Sequence, residues 1–480
     1  MTRQTPQQCR SATDKVGVSS GPEVVAVAVI GAGAAGVAAA RAAATALGPG
    51  GGRVVLIGDR PPGGGARLVT DAGLLRECAE RGLDWYATVT HLRSVRTAVD
   101  DASREAALRA DGVDLVRGHA RLLGDGRIEI EAAGAPHAPA VISARRIVLA
   151  TGDEDRLPAV SGLQDTRYAT AATLLSRVEL PPTAVIVGGG PHGCELAQAL
   201  ARFGVSVTLV EGAARLLPGD HPEASAQVAA ALRADGVRVF TAAQVVKVAP
   251  TLDGGAWVGT GSGGDFAAEA LILATGRRAA VRGLNLPAAG VLLTGAGWVG
   301  VDDRLVTSGP GVLAVGRVTG LLPHGTGDPV MARVAGTNAA SRRPTARWTP
   351  GTLPRVVRTD PPVAAVGVTV DEARTIPGAR VSQAPYRGPG GGPLAGPAGL
   401  ITLVAGPARS SGWVRRGGVG SPLLGAAIVG PQAGELSAVV ALGLHHDATV
   451  EDLAAAPLSS RTWAMALQQA ASGFPTSGSG

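Results

Sequence analysis

Two glycine-rich loops each follow a short apolar run and precede a segment that favours a helix. The first loop is Gly31-Ala32-Gly33-Ala34-Ala35-Gly36, and the second is Gly188-Gly189-Gly190-Pro191-His192-Gly193. A glycine turn of this spacing lets a pyrophosphate approach the free N–H groups at the start of the helix, where the helix dipole favours negative charge. One such loop is a weak signal, but two in matching contexts strongly indicate the binding of two dinucleotides.

Both loops lie in the same strand, turn, helix and strand arrangement, so the sequence contains an internal repeat. Each unit is followed later by an apolar run that ends in an Ala-Thr-Gly turn, Ala150-Thr151-Gly152 in the first and Ala274-Thr275-Gly276 in the second. The repeat therefore predicts two complete domains. The predicted elements are a strand over 24–30, a helix to about 47 and a strand over 54–57 in the first unit, and a strand over 184–187, a helix to about 203 and a strand over 205–210 in the second.

The residue that ends the second strand of such a unit normally hydrogen-bonds the ribose hydroxyls of the nucleotide. In the second unit this residue is Glu211, whose charge would repel a 2′-phosphate, so we expect NADH to be preferred over NADPH. In the first unit Gly58 replaces the acid, and Asp59 follows it. Because Asp59 is a weaker anchor for adenosine, the two sites are not equivalent.

Composition excludes several classes of protein. The 480 residues are 45% hydrophobic, which suits a globular protein of about three domains. No apolar run approaches the roughly 20 residues of a membrane span, and the polar first residues do not resemble a signal peptide, so we expect a cytoplasmic protein without membrane contact. The net charge of +6 comes from dispersed arginines, which argues against nucleic-acid binding. The three cysteines, Cys9, Cys78 and Cys194, are too few for a disulfide framework.

The order of these motifs, with the later run Val-Leu-Ala-Val-Gly at 312–316, resembles that of the class I pyridine nucleotide-disulfide oxidoreductases, the family of dihydrolipoamide dehydrogenase and glutathione reductase. The resemblance covers nearly the whole chain and implies FAD in the first unit, NAD(P)H in the second, and a homodimer. The implied fold is α/β, with two Rossmann-like domains, the FAD domain being discontinuous, and an α+β C-terminal dimerisation domain. The expected bounds are a tail at 1–22, the FAD domain at 23–152 and 281–345, the NAD(P)H domain at 153–280, the dimerisation domain at 346–472 and a tail at 473–480.

The segment that carries the family's redox disulfide holds no cysteine here. Residues 63–75 align with the family's Cys-x4-Cys and Pro-Ser-Lys and place Ala72 where the lysine belongs, whereas Glu195, which matches that lysine's partner, is retained. The family's C-terminal histidine and glutamate, which the partner subunit supplies as acid and base, align with Ser460 and Met465. An imidazole that serves thiolates has no task once the thiols are absent, so the sequence predicts an enzyme without dithiol chemistry.

A further departure concerns the flavin. The family's Gly-Asp, whose aspartate holds the ribityl chain, is Gly316-Arg317 here, so a cation replaces a hydrogen-bonding anion. The first glycine loop and the first Ala-Thr-Gly turn are kept. Asp328-Pro329 has the pattern of a helix start that could face the pyrimidine edge of the flavin. We expect FAD to be retained.

Three side chains are candidates for roles beyond anchoring the nucleotides. His324 lies where the family's loop approaches the flavin and is either a proton donor to the substrate or an ordinary surface-loop histidine. His192 either contacts the phosphate, gates the nicotinamide pocket, or is only a residue at a helix N-terminus. Glu195 is a weaker catalytic candidate. We interpret Cys78 and Cys194 as packing residues, and no pattern of ligands predicts a metal site.

The leading hypothesis is an FAD-dependent NAD(P)H oxidoreductase that passes electrons between nicotinamide, flavin and a quinone-like or other small organic substrate. The loop at 319–323 resembles that of disulfide-lacking relatives that reduce quinones. A competing hypothesis is a catalytically degenerate homodimer that binds nucleotide or a protein partner, which Arg317 and Gly58 favour. A third is a flavin-dependent oxidase or dehydrogenase of a biosynthetic intermediate, with electrons flowing the other way.

Overall fold

A computed structural model describes residues 23–59, 62, 72–97, 101–132, 139–174, 179–322, 329–386, 399–408, 420–459 and 462–474. These residues form three domains of mixed α/β structure, and each domain has its own sheet. Among the described residues, no helix combines the length and the apolar character that a membrane span requires.

The first domain is built on a sheet whose central strand is buried on both faces. Val27 and Val29 belong to one buried cluster, and Ala28 and Ile30 belong to another, because successive residues of a strand point to opposite faces. The elements are β1 (Glu23–Ile30), α1 (Ala34–Leu47), β2 (Val54–Gly58), α2 (Ala72–Glu80), α3 (Trp85–Thr97), α4 (Asp101–Ala110), β3 (Val113–Arg117), β4 (His119–Gly124), β5 (Arg127–Glu131) and β6 (Ala140–Leu149). The strand order is β3-β2-β1-β6-β5-β4, and β1 pairs in parallel with β2 and β6.

The second domain repeats this plan. Its main sheet has the order β11-β10-β9-β15-β8 with parallel pairs throughout, and a separate antiparallel sheet has the order β12-β13-β14. The elements are β7 (Asp153–Asp155), β8 (Ala169–Thr170), α5 (Ala171–Leu174), β9 (Thr183–Val187), α6 (Pro191–Arg202), β10 (Ser206–Val210), α7 (Pro222–Ala234), β11 (Arg238–Phe240), β12 (Val245–Pro250), β13 (Ala256–Thr260), β14 (Asp265–Ala268), β15 (Ala270–Leu273) and β16 (Arg277–Ala279).

A two-stranded ribbon connects the two domains. Strand β7 leaves the first domain and pairs antiparallel with β16, which leaves the second. The chain then returns to the first sheet through β17 (Val312–Ala314), which pairs with β6, and α8 (Pro329–Ala340), which packs closely on α1. A Cβ on Gly336 would lie 2.2 Å from the carbonyl oxygen of Ala39, so this approach of the two helices requires glycine. The predicted discontinuity of the first domain is confirmed.

The C-terminal domain is an antiparallel sheet with helices packed on it, as the α+β prediction requires. Its strand order is β18-β19-β22-β21-β20, and its core includes Ile401, Leu403 and Leu467. The elements are β18 (Arg355–Val357), β19 (Val363–Gly367), α9 (Val370–Ala373), β20 (Arg380–Tyr386), β21 (Gly399–Ala405), β22 (Leu423–Val429), α10 (Ala433–His445), α11 (Val450–Ala455) and α12 (Met465–Ser472).

Candidate functional site

The three glycines of the first loop meet different surroundings. Gly31 has a φ of +113°, and a Cβ on it would lie 2.4 Å from the carbonyl oxygen of Ala150. A Cβ on Gly36 would lie 1.8 Å from the carbonyl oxygen of Gly31, so this residue is fixed by packing between helix and turn. Apart from Gly33 itself and its chain neighbours, no described residue has an atom within 4 Å of the Cβ position of Gly33. The loop therefore leaves open space beside Gly33, at the start of α1, where a pyrophosphate would lie.

The second loop reproduces these contacts. Gly188 has a φ of +112°, and its Cβ would lie 2.4 Å from the carbonyl oxygen of Ala274, while a Cβ on Gly193 would lie 1.8 Å from the carbonyl oxygen of Gly188. The Cβ position of Gly190 again has no described atom within 4 Å. Gly190 is the N-cap of α6, and Pro191 follows it, so the helix begins with a residue that needs no hydrogen-bond partner for its nitrogen. Both loops thus have the geometry of a phosphate cradle.

Glu211 lies at the carboxyl end of β10, where the sequence predicts it. Its Oε2 accepts a hydrogen bond from the N–H of Gly189 at 2.5 Å, and its Oε1 accepts one from the N–H of Ala213 at 2.6 Å. These bonds hold the carboxylate beside the second loop.

In both units the second residue of the glycine loop packs against the residue at the end of the second strand, but the residue types are exchanged. A Cβ on Gly58 would lie 2.7 Å from the Cβ of Ala32, whereas in the second unit a Cβ on Gly189 would lie 2.9 Å from the Cβ of Glu211. Asp59 is exposed just beyond β2. Each unit therefore keeps one side chain and one glycine at this contact, and the first unit keeps the side chain in the loop.

A cleft of about 570 Å³ extends along the second loop. This volume is within the range usual for small-molecule and cofactor pockets. One end is lined by Glu211, Gly212, Ala213 and Gln244, and the middle by Gly188, Gly190 and His192. The opposite end reaches residues of the first domain and the connecting ribbon, namely Asp153, Asp155, Gly276, Arg277, Trp298, Arg317, Gly320 and Leu322. The cleft therefore passes from one nucleotide-binding domain to the other.

Four charged side chains meet at that opposite end, and we call Asp153, Asp155, Arg277 and Arg317 the inner cluster. The Asp153 side chain is only 4% exposed, and its Oδ1 accepts a hydrogen bond from Arg317. Its Oδ2 accepts from Nε of Arg277 at 2.9 Å, and the same guanidinium donates to Asp155. Although burial opposes its charge, bonds to Asp153 and Asp155 raise the pKa of Arg277. Arg317 is thus neutralised rather than isolated.

The residues present fit the pyrophosphate half of FAD and depart at its ribityl end. Gly33 borders open space, and the Oγ1 of Thr151, in the turn against which Gly31 packs, is buried without a hydrogen-bond partner among the described residues. Gly316 and Arg317 begin a 3₁₀ helix, Gly316–Thr319, that points the guanidinium to Asp153. The Nε of Arg317 is also buried without a described partner. Both atoms have hydrogen-bonding capacity to offer a ligand.

The structure does not bring Glu195 into the cleft. Its Oε1 accepts a hydrogen bond from the N–H of Arg358 at 2.7 Å, so the carboxylate connects α6 to the C-terminal domain. His324 lies outside the described residues, as do Asp328, Ser460 and the segment 63–71 of the cysteine-free loop. Met465 begins α12.

The two described thiols suit packing rather than chemistry. Burial raises the pKa of the Cys194 thiol far above its usual range, and its Sγ donates to the carbonyl oxygen of Gly189 at 3.3 Å. Burial also raises the pKa of Cys78. Both thiols stay protonated at neutral pH and are therefore poor nucleophiles. No group of His, Cys, Asp and Glu in the described part of the chain could hold a metal ion.

Sequence reasoning missed Asp153, Asp155, Arg277 and Trp298 as site residues. A signal was present, because Asp153 and Arg277 each follow an Ala-Thr-Gly turn at the same place in the repeat. The acid Asp153 and the cation Arg277 occupy equivalent positions in the two units. Their pairing with each other and with the unexpected cation Arg317 could have been predicted from this.

Comparisons with known proteins agree with this geometry. A family model described as pyridine nucleotide-disulphide oxidoreductase matches residues 25–341. A dihydrolipoyl dehydrogenase of Thermus scotoductus is 34% identical over 356 residues, which are 72% of this chain and 72% of that protein. A mercuric reductase of Acidithiobacillus ferrooxidans is 34% identical over 328 residues, covering 65% of this chain and 55% of that protein.

Solved structures agree at the level of the fold. LpdA from Mycobacterium tuberculosis has a TM-score of 0.77 at 24% identity, with 94% of this chain and 99% of that one covered. The flavoprotein disulfide reductase RclA from Escherichia coli has a TM-score of 0.77 at 22% identity, with the same coverage. Paired dinucleotide loops, a cleft between their domains and the family match lead to one conclusion: the chain belongs to the class I pyridine nucleotide-disulfide oxidoreductases, FAD-dependent enzymes that use NAD(P)H.

Proposed function

We propose that this chain is an NADH-dependent flavin oxidoreductase that passes electrons between nicotinamide, FAD and a quinone-like or other small organic substrate, without a dithiol. The observation that carries the proposal is the cleft, which is continuous from Glu211 on the NAD side to Arg317, Trp298 and Gly320 on the FAD side. A nucleotide held along it would end next to the flavin domain.

The preference for NADH over NADPH is supported by charge. Glu211 lines the ribose end, and none of the described residues that line this end is basic. The nearby Arg215 donates instead to the carbonyl oxygens of Pro218 at 2.9 Å and Asp220 at 3.0 Å. A 2′-phosphate would therefore meet a carboxylate, with no cation among the described residues that line this end of the cleft.

The chain's own residues would bind, orient and shield the cofactors. The start of α1 beside Gly33 would hold the FAD pyrophosphate, and the start of α6 beside Gly190 would hold that of NADH. When bound, FAD supplies a two-electron acceptor for hydride from the nicotinamide. Trp298 and Leu322 give the far end of the cleft an apolar wall that excludes water. His324 as a proton donor to the substrate remains a prediction.

The non-thiol part of the proposal is supported by sequence and burial together. Between Cys9 and Cys78 the sequence has no cysteine, and both described thiols are buried. Electrons leaving the flavin therefore need an external acceptor. A flat, small oxidant such as a quinone suits the face on which other members of the family carry sulfur. Electron flow in the reverse direction, in which the flavin oxidises an organic substrate, would use the same cleft and the same two nucleotide-binding loops.

A second candidate function is a catalytically silent, homodimeric nucleotide-binding protein. Arg317 in place of the ribityl-binding acid favours this alternative, because its guanidinium is already engaged by Asp153. The two candidates differ in whether the purified protein carries flavin and consumes NADH.

The visible spectrum and NADH oxidation with a panel of quinones test the proposal. We expect bands of oxidised flavin and turnover with NADH. Glu211→Ala removes the ribose anchor and should raise the KM for NADH by about tenfold, with less effect on NADPH. Glu269→Ala, at an exposed position of the same domain, is the control. A colourless protein that cannot be reconstituted, or flavin-loaded protein that oxidises no NADH with any quinone, would support the silent alternative.

A further inference from the structure

We infer that Asp153 is a specificity-determining residue, which keeps the nicotinamide end of the cleft electrically neutral and so limits discrimination between oxidised and reduced nicotinamide. The inference rests on the proposed function insofar as the cleft must hold a nicotinamide dinucleotide. It concerns binding and requires no turnover.

The polarity of the bound dinucleotide follows from the residues of the cleft. Glu211 marks the adenosine ribose, and the N-terminus of α6 marks the pyrophosphate. The remaining part of the ligand must lie beyond the pyrophosphate, where the cleft ends at the inner cluster. The nicotinamide ring therefore meets Asp153, Asp155, Arg277 and Arg317.

The inner cluster balances two positive against two negative charges. Asp153 is central to it because its carboxylate binds both arginines, and its side chain is 4% exposed, against 12% for Arg317 and 26% for Arg277. The four side chains come from β7, β16 and the 3₁₀ helix Gly316–Thr319, so pairing fixes them across the junction of the two domains.

The two redox states of nicotinamide differ by one charge. The oxidised ring is a cation and the reduced ring is neutral, so a charge in the adjoining wall changes the affinity for one state only. In a partly buried site, where water screens weakly, a single charge at contact range changes affinity by about tenfold. Removing Asp153 leaves the wall positive, and removing Arg317 leaves it negative.

The test uses the purified protein and two ligands that do not react with it in the oxidised state, NAD⁺ and the redox-inert reduced analogue tetrahydro-NAD. Their Kd values are measured by calorimetry. Asp153→Asn should raise the ratio of the Kd for NAD⁺ to that for the analogue by about tenfold, and Arg317→Gln should lower it by a similar factor. The double variant, which restores neutrality, should return to the wild-type ratio.

Glu154→Gln is the matched control. Glu154 is the neighbour of Asp153 on β7, it pairs with Arg278 at 2.8 Å, and it does not line the cleft. This variant changes the net charge by the same amount as Asp153→Asn and should leave the ratio unchanged. If Asp153→Asn does not fold, Asp155→Asn, at a more exposed side chain, should shift the ratio in the same direction.

Opposite shifts for the Asp153 and Arg317 variants would uphold the inference, since general damage to the site would move both ratios alike. Shifts in the same direction, or an equal shift in Glu154→Gln, would overturn it. A protein that binds both ligands with the expected shifts but reduces no quinone would leave the inference standing while the proposed function fails.

Discussion

At the scale of the residue, the glycines of the two loops have separable roles. Gly193 is required by the fold, because a Cβ there would overlap the carbonyl oxygen of Gly188, whereas Gly190 borders only the space a phosphate would fill. Gly190 also has an extended backbone, with a φ of −72°, that any residue can adopt. Substitution at these two positions therefore separates folding from binding.

We predict that Gly190→Val leaves the thermal midpoint nearly unchanged and weakens NADH binding by at least about tenfold, because the side chain fills the phosphate cradle. Gly193→Ala should instead destabilise the protein by about 2–3 kcal/mol through overpacking. Thermal unfolding and nucleotide titration on both variants check this. Equal effects of the two substitutions on both measurements would contradict the separation.

The sequence identified the loops and Glu211 because glycine spacing and a strand-ending acid are local patterns. It did not identify Asp153 or Trp298 as site residues, because they reach the cleft through the pairing of β7 with β16 and through packing of Gly320 against the indole. Those contacts join distant segments, and local periodicity does not report them. Arg317 is a visible departure in the sequence, but the sequence does not reveal that Asp153 pairs with it.

At the scale of the element, the predicted strands and helices of both units agree with the structure to within one residue, since uniformly apolar parallel strands and alanine-rich helices give clear signals. Helices α3 and α4 and the β12-β13-β14 sheet were not predicted. Helix α4 has Leu108 as its buried residue among charged, serine and alanine side chains, so its apolar stripe is too narrow to detect.

Helix α7 offers a pH-sensitive element. Its N-cap is His221, whose Nδ1 accepts a hydrogen bond from the N–H of Glu223 at 3.2 Å, which requires a neutral imidazole. Burial lowers the pKa of His221 below its ordinary 6.5; Arg215 and Arg374 add to this effect, and Glu223 and Asp371 oppose it. The folded state therefore binds fewer protons than the unfolded state in this range. This contribution is present above pH 6.5 and is lost as the pH falls below it, through the lower folded pKa.

We predict that the protein becomes less stable, with a lower thermal midpoint, when the pH is lowered from 7.5 to 5.5. The His221→Asn variant should lose about 0.5–1 kcal/mol less free energy of unfolding over the same pH change. Asparagine keeps the capping acceptor but does not titrate. Calorimetric scans of both proteins at the two pH values provide the measurement. An identical fall in the variant would show that other groups dominate.

At the scale of the whole molecule, the three domains meet around Arg202 of α6. Its guanidinium binds Glu80 of α2, Asp235 after α7, and Asp360 of the C-terminal domain. Gln198, one turn earlier, donates to Asp235 at 2.8 Å and to the carbonyl oxygen of Asp360 at 2.9 Å. Helix α2, which follows the cysteine-free loop, thus retains a structural role in joining the domains.

The C-terminal domain also presents apolar side chains to solvent on its helices, Leu442 at 61% exposure and Val439 at 38% on α10. We predict that the chain is a homodimer through this surface and that Leu442→Asp weakens the dimer by about thirtyfold or more. Light scattering across a dilution series measures this. Leu252→Asp, at an equally apolar but fully exposed position of the second domain, should leave the dimer intact, and a wild-type monomer would refute the prediction.

The contact shared by Ala32 with Gly58, and by Gly189 with Glu211, restricts how the first unit could change. An acid introduced at 58 alone would have to push its Cβ against the methyl group of Ala32. Loss of that methyl group must therefore come first or at the same time. Nucleotide preference in this half of the molecule thus depends on positions 32 and 58 together, and neither can change without the other.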